Sequence, residues 1–223
     1  MSYRVTRWRL ALALALIFGV GLPVAPPAAA MVILGGGAVI VVDGNSYCTL
    51  TTIGRDRAGG TVGFTGAQCG GPGASVALAG TDTVVGTIAA VNGDLRYAVI
   101  KFDVPDMIAA SDYGGIAING IGPDPGFDSL VCKFGPTTPG ICNRIRFDGW
   151  PRMTMWGQFE AGDVGAPVTV DGLLVGLVYG GAVSPGNRFS LPMPLTYFTR
   201  FSAILDDVNA GDGPGNGFVP IGS

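Results

Sequence analysis

From Ala38 onward the chain is punctuated into short apolar stretches. Runs rich in Val, Ile, Thr and aromatic residues end every few positions at Gly, Pro, Asn or Asp. That period-two patterning, with turn residues between, predicts strands. The clearest are Tyr47–Ile53, Thr61–Thr65, Thr83–Val91, Tyr97–Phe102, Leu130–Phe134, Ile141–Phe147, Met153–Phe159, Leu173–Val178 and Phe189–Pro192. The turn-rich stretch from Val104 to Asp128 divides the strands into two sets of about six. Only near the end does the period change. Leu195, Phe198, Phe201, Leu205 and Val208 recur at spacings of three and four, which predicts an amphipathic helix over 195–208. Asn209 to Ser223, dense in Gly, reads as a disordered tail.

Composition supports an all-β chain: there is one glutamate (Glu160) and 38 glycines in 223 residues. The first thirty residues have a different character. Arg4, Arg7 and Arg9 precede an uncharged run from Leu10 to Leu22, and Ala28-Ala29-Ala30 follows. This is the pattern of a secretory signal peptide, too short to span a bilayer as a helix. Residues 31–208 then form one domain, with a first barrel over 31–110 and a second over 128–193.

Without those thirty residues the chain keeps ten basic and sixteen acidic side chains, a net charge near −6. That disfavours nucleic acid and anionic membranes as partners. The four cysteines, Cys48, Cys69, Cys132 and Cys142, read as two disulfides in an oxidising compartment. Three pairings are possible; the sequence-local one joins Cys48 to Cys69 and Cys132 to Cys142. The chain contains no histidine and the cysteine spacings are long, so neither a zinc site nor any other cofactor is expected.

Four segments, in order, carry a resemblance. Phe64-Thr65-Gly66-Ala67-Gln68-Cys69 is similar to the Thr-Ala-Gly-His-Cys box of chymotrypsin-fold serine proteases. Tyr97-Ala98-Val99-Ile100-Lys101-Phe102 looks like the strand following their triad aspartate. Val131-Cys132-Lys133-Phe134-Gly135-Pro136-Thr137-Thr138-Pro139-Gly140-Ile141-Cys142 resembles the disulfide hairpin of the streptogrisin-like branch, the small secreted proteases of actinobacteria. Gly162-Asp163-Val164-Gly165-Ala166-Pro167, with Gly176-Leu177-Val178-Tyr179-Gly180-Gly181, resembles the nucleophile box and the wall of the specificity pocket. The resemblance covers most of Cys48 to Leu205. It implies two packed six-stranded antiparallel barrels with a C-terminal helix, and the disulfides Cys48–Cys69 and Cys132–Cys142.

It also implies a broken triad. Gln68 stands at the base position and Val164 at the nucleophile. The acid position falls on Arg96, or on Asp94 after a two-residue slip along the same strand face. An amide does not shuttle protons near neutral pH, and valine has no lone pair. Asp163 is expected to pair with Lys133, where the family has arginine, and to hold the amides of Gly162 and Val164. Those two amides are expected to remain as an oxyanion-hole remnant. Tyr179, with Gly180 and Gly181, is expected to narrow the old pocket. Trp156 is expected in the core and Trp150 on an exposed rim. Arg55, Asp56 and Arg57 read as a solvated loop tip. The resulting expectation is a secreted, catalytically inactive protease homologue that binds an extracellular protein or peptide; the alternative is a hydrolase with a rearranged, histidine-free site.

Overall fold

The structure, a computed structural model, describes residues 31–81, 83–105, 107–138, 140–186 and 191–222. The expected signal peptide lies outside the described residues, as does the first half of the strand expected at Phe189–Pro192.

About half of the described residues lie in strands, most of them antiparallel and arranged in two sets. The first is a curled sheet holding Val39–Val42, Ser46–Thr49, Thr52–Arg55, Thr61–Gly66, Ser75–Leu78, Val84–Asn92 and Tyr97–Phe102, with Val219–Pro220 added at one edge. Its ladder does not close as an independent barrel. Ser46–Thr49 pairs with Val39–Val42, and Thr52–Arg55 pairs with Thr61–Gly66. These two strands are one continuous run through Leu50 and Thr51. The Leu50 amide donates to Ala38 O at 2.8 Å and the Thr51 amide to Phe64 O at 2.7 Å. The sheet therefore curls until both ends meet on one stretch of backbone.

The second set is a closed six-stranded barrel of Leu130–Lys133, Ile141–Asp148, Arg152–Trp156, Met193–Arg200, Leu173–Ser184 and Pro167–Val170, in that order around the ring. Alternation sends Val131, Ile145, Met153, Met155, Val168 and Phe198 into its interior. Two short pairs lie outside both sets: Val32–Gly35 runs parallel to Met107–Ala110, and Asp112–Tyr113 pairs with Ile116–Ala117. The turn-rich connection thus contains strands that its composition concealed.

The end of the chain departs from expectation twice. The helix spans only Phe201–Asn209, while Leu195 and Phe198 belong to the strand Met193–Arg200. A spacing of three is compatible with either element over so short a window. Pro194 and the β-branched Thr196 and Thr199 favour the strand. Residues 210–222 are not a disordered tail but fold back. Phe218 is 6% exposed and packs edge-on to Phe64 at 4.9 Å between ring centroids. Val219 and Pro220 pair with Arg55 and Gly54. The Arg57 amide donates to Asn216 O at 2.8 Å, so the 55–57 loop is a docking point for this segment rather than a free tip.

Candidate functional site

Two loops meet where the sets join. The strand Thr61–Gly66 runs into a 3₁₀ turn, Ala67–Cys69, pinned by the Cys48–Cys69 disulfide. Opposite it, Ala161–Asp163 forms a second 3₁₀ turn. This turn is held to the first sheet by Thr49, whose hydroxyl donates to Gly162 O at 2.7 Å and whose amide donates to Val164 O at 2.8 Å. The Thr51 hydroxyl donates to Gly165 O at 2.6 Å. Gly165 must be glycine: its φ is +89°, and an added Cβ would lie 2.0 Å from Thr49 O. Gly162 is needed for space, because a Cβ there would lie 2.5 Å from Thr137 Cγ2.

Gln68 and Val164 converge on Gly66. A Cβ at residue 66 would lie 2.3 Å from Val164 Cγ1 and 3.5 Å from Gln68 Oε1. Val164 is 4% exposed and belongs to the core of the first sheet. Gln68 is exposed, and its side-chain amide donates to the carbonyl of Tyr179 at 2.5 Å. The two positions are thus adjacent, filled by a hydrocarbon and by an amide that spans the cleft. Thr65 offers no substitute nucleophile: it is fully buried and donates to Thr49 O at 2.8 Å.

Arg96 is one of the two residues expected at the third position, and its backbone reaches the Ala67–Cys69 turn. Its carbonyl accepts the Ala67 amide at 3.0 Å, directly beside Gln68. Asp94 sits in the preceding turn, where its amide donates to Asn92 Oδ1 and its carbonyl accepts from Arg152.

Half of the expected oxyanion remnant is closed. The Val164 amide donates to Ala161 O at 3.2 Å within the 3₁₀ turn. A donor spent inside its own turn does not point at a substrate oxygen. Nor does Asp163 hold the amides of Gly162 and Val164. Its carboxylate accepts from Lys133 Nζ at 2.8 Å, from the hydroxyls of Thr137 and Thr138 at 2.6 Å each, and from both of their amides. Both side chains of the ion pair are fully buried. Lys133 Nζ also donates to Thr138 Oγ1 and to Gln158 O, so all three of its protons have acceptors. Burial pushes the Asp163 carboxyl up, but the hydrogen bonds from Lys133, Thr137 and Thr138 and the Lys133 charge outweigh it. The carboxyl is held below its ordinary value. Thr137 with Asp163 is a hydroxyl beside a carboxylate, yet a carboxylate so stabilised is a poor base.

The depression beside the turn, about 370 Å³, lies between Gln158–Glu160 and Gly181–Val183. Phe159 enters it: a Cβ at Gly181 would meet Phe159 Cβ at 2.4 Å. The Tyr179 ring, expected to narrow this pocket, turns elsewhere, to 6.1 Å from the Tyr197 ring and beneath the Arg152 guanidinium at 5.9 Å. Nothing short of the fold singles out Phe159, an ordinary aromatic at a strand end. Gly180 lies beside Tyr197, 3.9 Å from its ring at the Cβ position. Trp156 is only half-buried, on the outer face of the barrel with Arg146 over its ring at 5.6 Å, rather than in the core. Trp150 is 65% exposed. All four cysteines form disulfides, Cys48–Cys69 and Cys132–Cys142, which leaves no thiolate for a metal.

Curled sheet, closed barrel, C-terminal helix and inter-sheet cleft together define the chymotrypsin fold. No protein-family model matches the chain, and no curated protein is significantly similar to it in sequence. Solved structures do match. Cellulomonas bogoriensis chymotrypsin is 23% identical, over 86% of this chain and 100% of that one, with a TM-score of 0.63. Thermobifida fusca protease A is 20% identical over 78% and 95%, with a TM-score of 0.64. Nocardiopsis protease is 18% identical over 78% and 96%, at 0.62. At these identities the likeness establishes the fold, shared with actinobacterial serine proteases.

Proposed function

We propose that this protein is an exported, catalytically silent homologue of chymotrypsin-fold serine proteases that acts by binding a protein or peptide. One observation carries the reading: Val164 and Gln68 meet over Gly66 where a hydroxyl and an imidazole would have to exchange a proton. In a related triad, losing nucleophile or base alone costs about 10⁶ in kcat. That corresponds to about 8 kcal/mol of barrier. The spent Val164 amide points the same way, since it removes a part that residual catalysis would use. The apolar leader and the two disulfides support an extracellular location. A histidine-free hydrolase would need a hydroxyl beside a competent base; the Thr137–Asp163 pair supplies only a weak one.

The test is incubation of the purified, disulfide-bonded protein with a fluorophosphonate probe and with peptide esters. Neither labelling nor turnover above background is expected. Stoichiometric labelling that disappears on changing residue 164 would end this reading.

A further inference from the structure

We propose that the surface where the 93–96 turn of the first sheet meets the second barrel, around Arg96, Arg152, Tyr179 and Tyr197, is a docking surface for an acidic polypeptide segment. The proposal rests on the binding role above and adds the chemistry of the partner.

Charge is the first observation. The chain beyond residue 30 is strongly acidic, yet Arg96, Arg144, Arg146 and Arg152 are exposed. Arg144 and Arg146 share Asp128 at 3.1 and 3.9 Å. Among the described residues no carboxylate lies within ion-pair distance of Arg96 or Arg152. Arg152 instead lies over the Tyr179 ring, 5.9 Å from its centroid. Burial pushes the Tyr179 hydroxyl up, while the Arg152 and Arg96 charges pull the other way. A guanidinium over a tyrosine pair, with the exposed Arg96 as a second cation, offers planar forks for carboxylates and flat apolar area beside them. Arg and Tyr are the residues that dominate binding at such surfaces.

Backbone geometry is the second observation. Four described non-glycine residues have positive φ: Asp43, Asp128, Asp171 and Arg96, the last at +63°. Aspartate tolerates the left-handed region through local hydrogen bonds; arginine has no such reason to be there. A glycine at 96 would fit the turn better, so the arginine is present at some cost to folding. The turn also fixes the second cation, because the Arg152 guanidinium donates to Asp94 O at 2.8 Å. An acidic partner is repelled by the rest of the surface and therefore finds this face selectively.

The experiment is fluorescence anisotropy of a labelled oligoglutamate with the purified protein at low and high salt, with oligolysine and dextran sulfate as comparison probes. Saturable binding of oligoglutamate that fades at high salt is expected. Arg152→Gln and Arg96→Gly should each weaken it about tenfold, one charge-assisted contact apiece. Arg55→Gln, which removes the same charge from the first sheet, should leave it unchanged. Arg96→Gly should also unfold at equal or higher denaturant, which separates lost binding from lost structure. Absence of oligoglutamate binding, equal weakening by Arg55→Gln, or capture of dextran sulfate in place of the peptide would each overturn the assignment. None of these outcomes bears on probe labelling, so failure here and failure of catalytic silence are read separately.

Discussion

Val164 and Gly66 are in direct contact across the junction of the two sheets, so close that a methyl group on residue 66 would lie 2.3 Å from Val164 Cγ1. Val164, the residue expected at the nucleophile position, is therefore a packing element of the first core. Gly66→Ala overpacks this contact and is expected to cost about 1–3 kcal/mol in guanidinium unfolding. Adding Val164→Ala makes room again. The double variant should then cost less than the two single changes summed. Simple additivity would mean that the two side chains do not share one space.

Restoring the two missing groups should not restore an enzyme. In Gln68→His with Val164→Ser, the residue-164 amide is still spent on Ala161 O, and Arg96 remains at one of the two positions expected for the acid. Replacing only the orienting acid of a working triad already costs about 10⁴. Fluorophosphonate labelling of the double variant is expected to stay at background. Labelling at the rate of an active protease would show that the Ala161–Asp163 turn opens freely.

Much of this was legible in the chain itself. Period-two runs between Gly and Pro give strands, and Cys48, Cys69, Cys132 and Cys142 pair as their local spacing allows. Gln68 and Val164 come together because their flanking motifs are intact. The rest depends on contacts between residues far apart in sequence. The Gln68 tie to Tyr179 crosses 111 positions. The Ala161–Asp163 turn spends an amide that no motif describes, and Phe159 enters a pocket whose walls come from three segments. Residues 210–222 misled for another reason. Their average composition is that of a loop, and a single Phe218 aimed at Phe64 decides their fate.

Stability should fall in acid through Asp163. Its carboxyl is held below the ordinary value, so it contributes stability above the unfolded-state pKa of about 4 and loses it as pH drops through the folded value. Thermal melts from pH 7 to pH 2 should show this limb. Lys133→Met strands a buried carboxylate and is expected to cost about 3–5 kcal/mol at neutral pH. Because that variant favours a protonated Asp163, its deficit should shrink toward low pH. A constant deficit would assign the loss to packing alone.

An alkaline limb is expected from Tyr97. Burial, then the hydrogen bond and charge of Asp207, push its phenol well above the ordinary value; its hydroxyl donates to Asp207 at 2.5 Å. A raised pKa contributes stability in full below the unfolded-state value of about 10 and loses it as pH climbs toward the folded value. Tyr97→Phe should flatten this limb above pH 10 in a pH series of denaturant midpoints. If the wild-type chain and Tyr97→Phe decline in parallel, other tyrosines carry the effect.

The C-terminal segment should prove structural. Phe218 lies against Phe64 and Phe201, at 4.9 and 6.2 Å between ring centroids, and closes the cluster beneath the helix Phe201–Asn209. Phe218→Ala is expected to cost about 3–5 kcal/mol by the lost transfer and the cavity left behind. Truncation after Ala210 removes the same ring together with the Val219–Pro220 pairing to Gly54 and Arg55. It should therefore destabilise at least as much as Phe218→Ala, and it should free the amide of Arg55 to exchange with solvent. The Gly215 and Gly217 turns, at φ of +93° and +65°, aim the ring. Gly217→Ala should thus cost stability by the same route, though less, because a strained turn can yield where a missing ring cannot. Hydrogen exchange on the three variants distinguishes these steps. A truncated chain with unchanged stability would return residues 210–222 to the status of a tail.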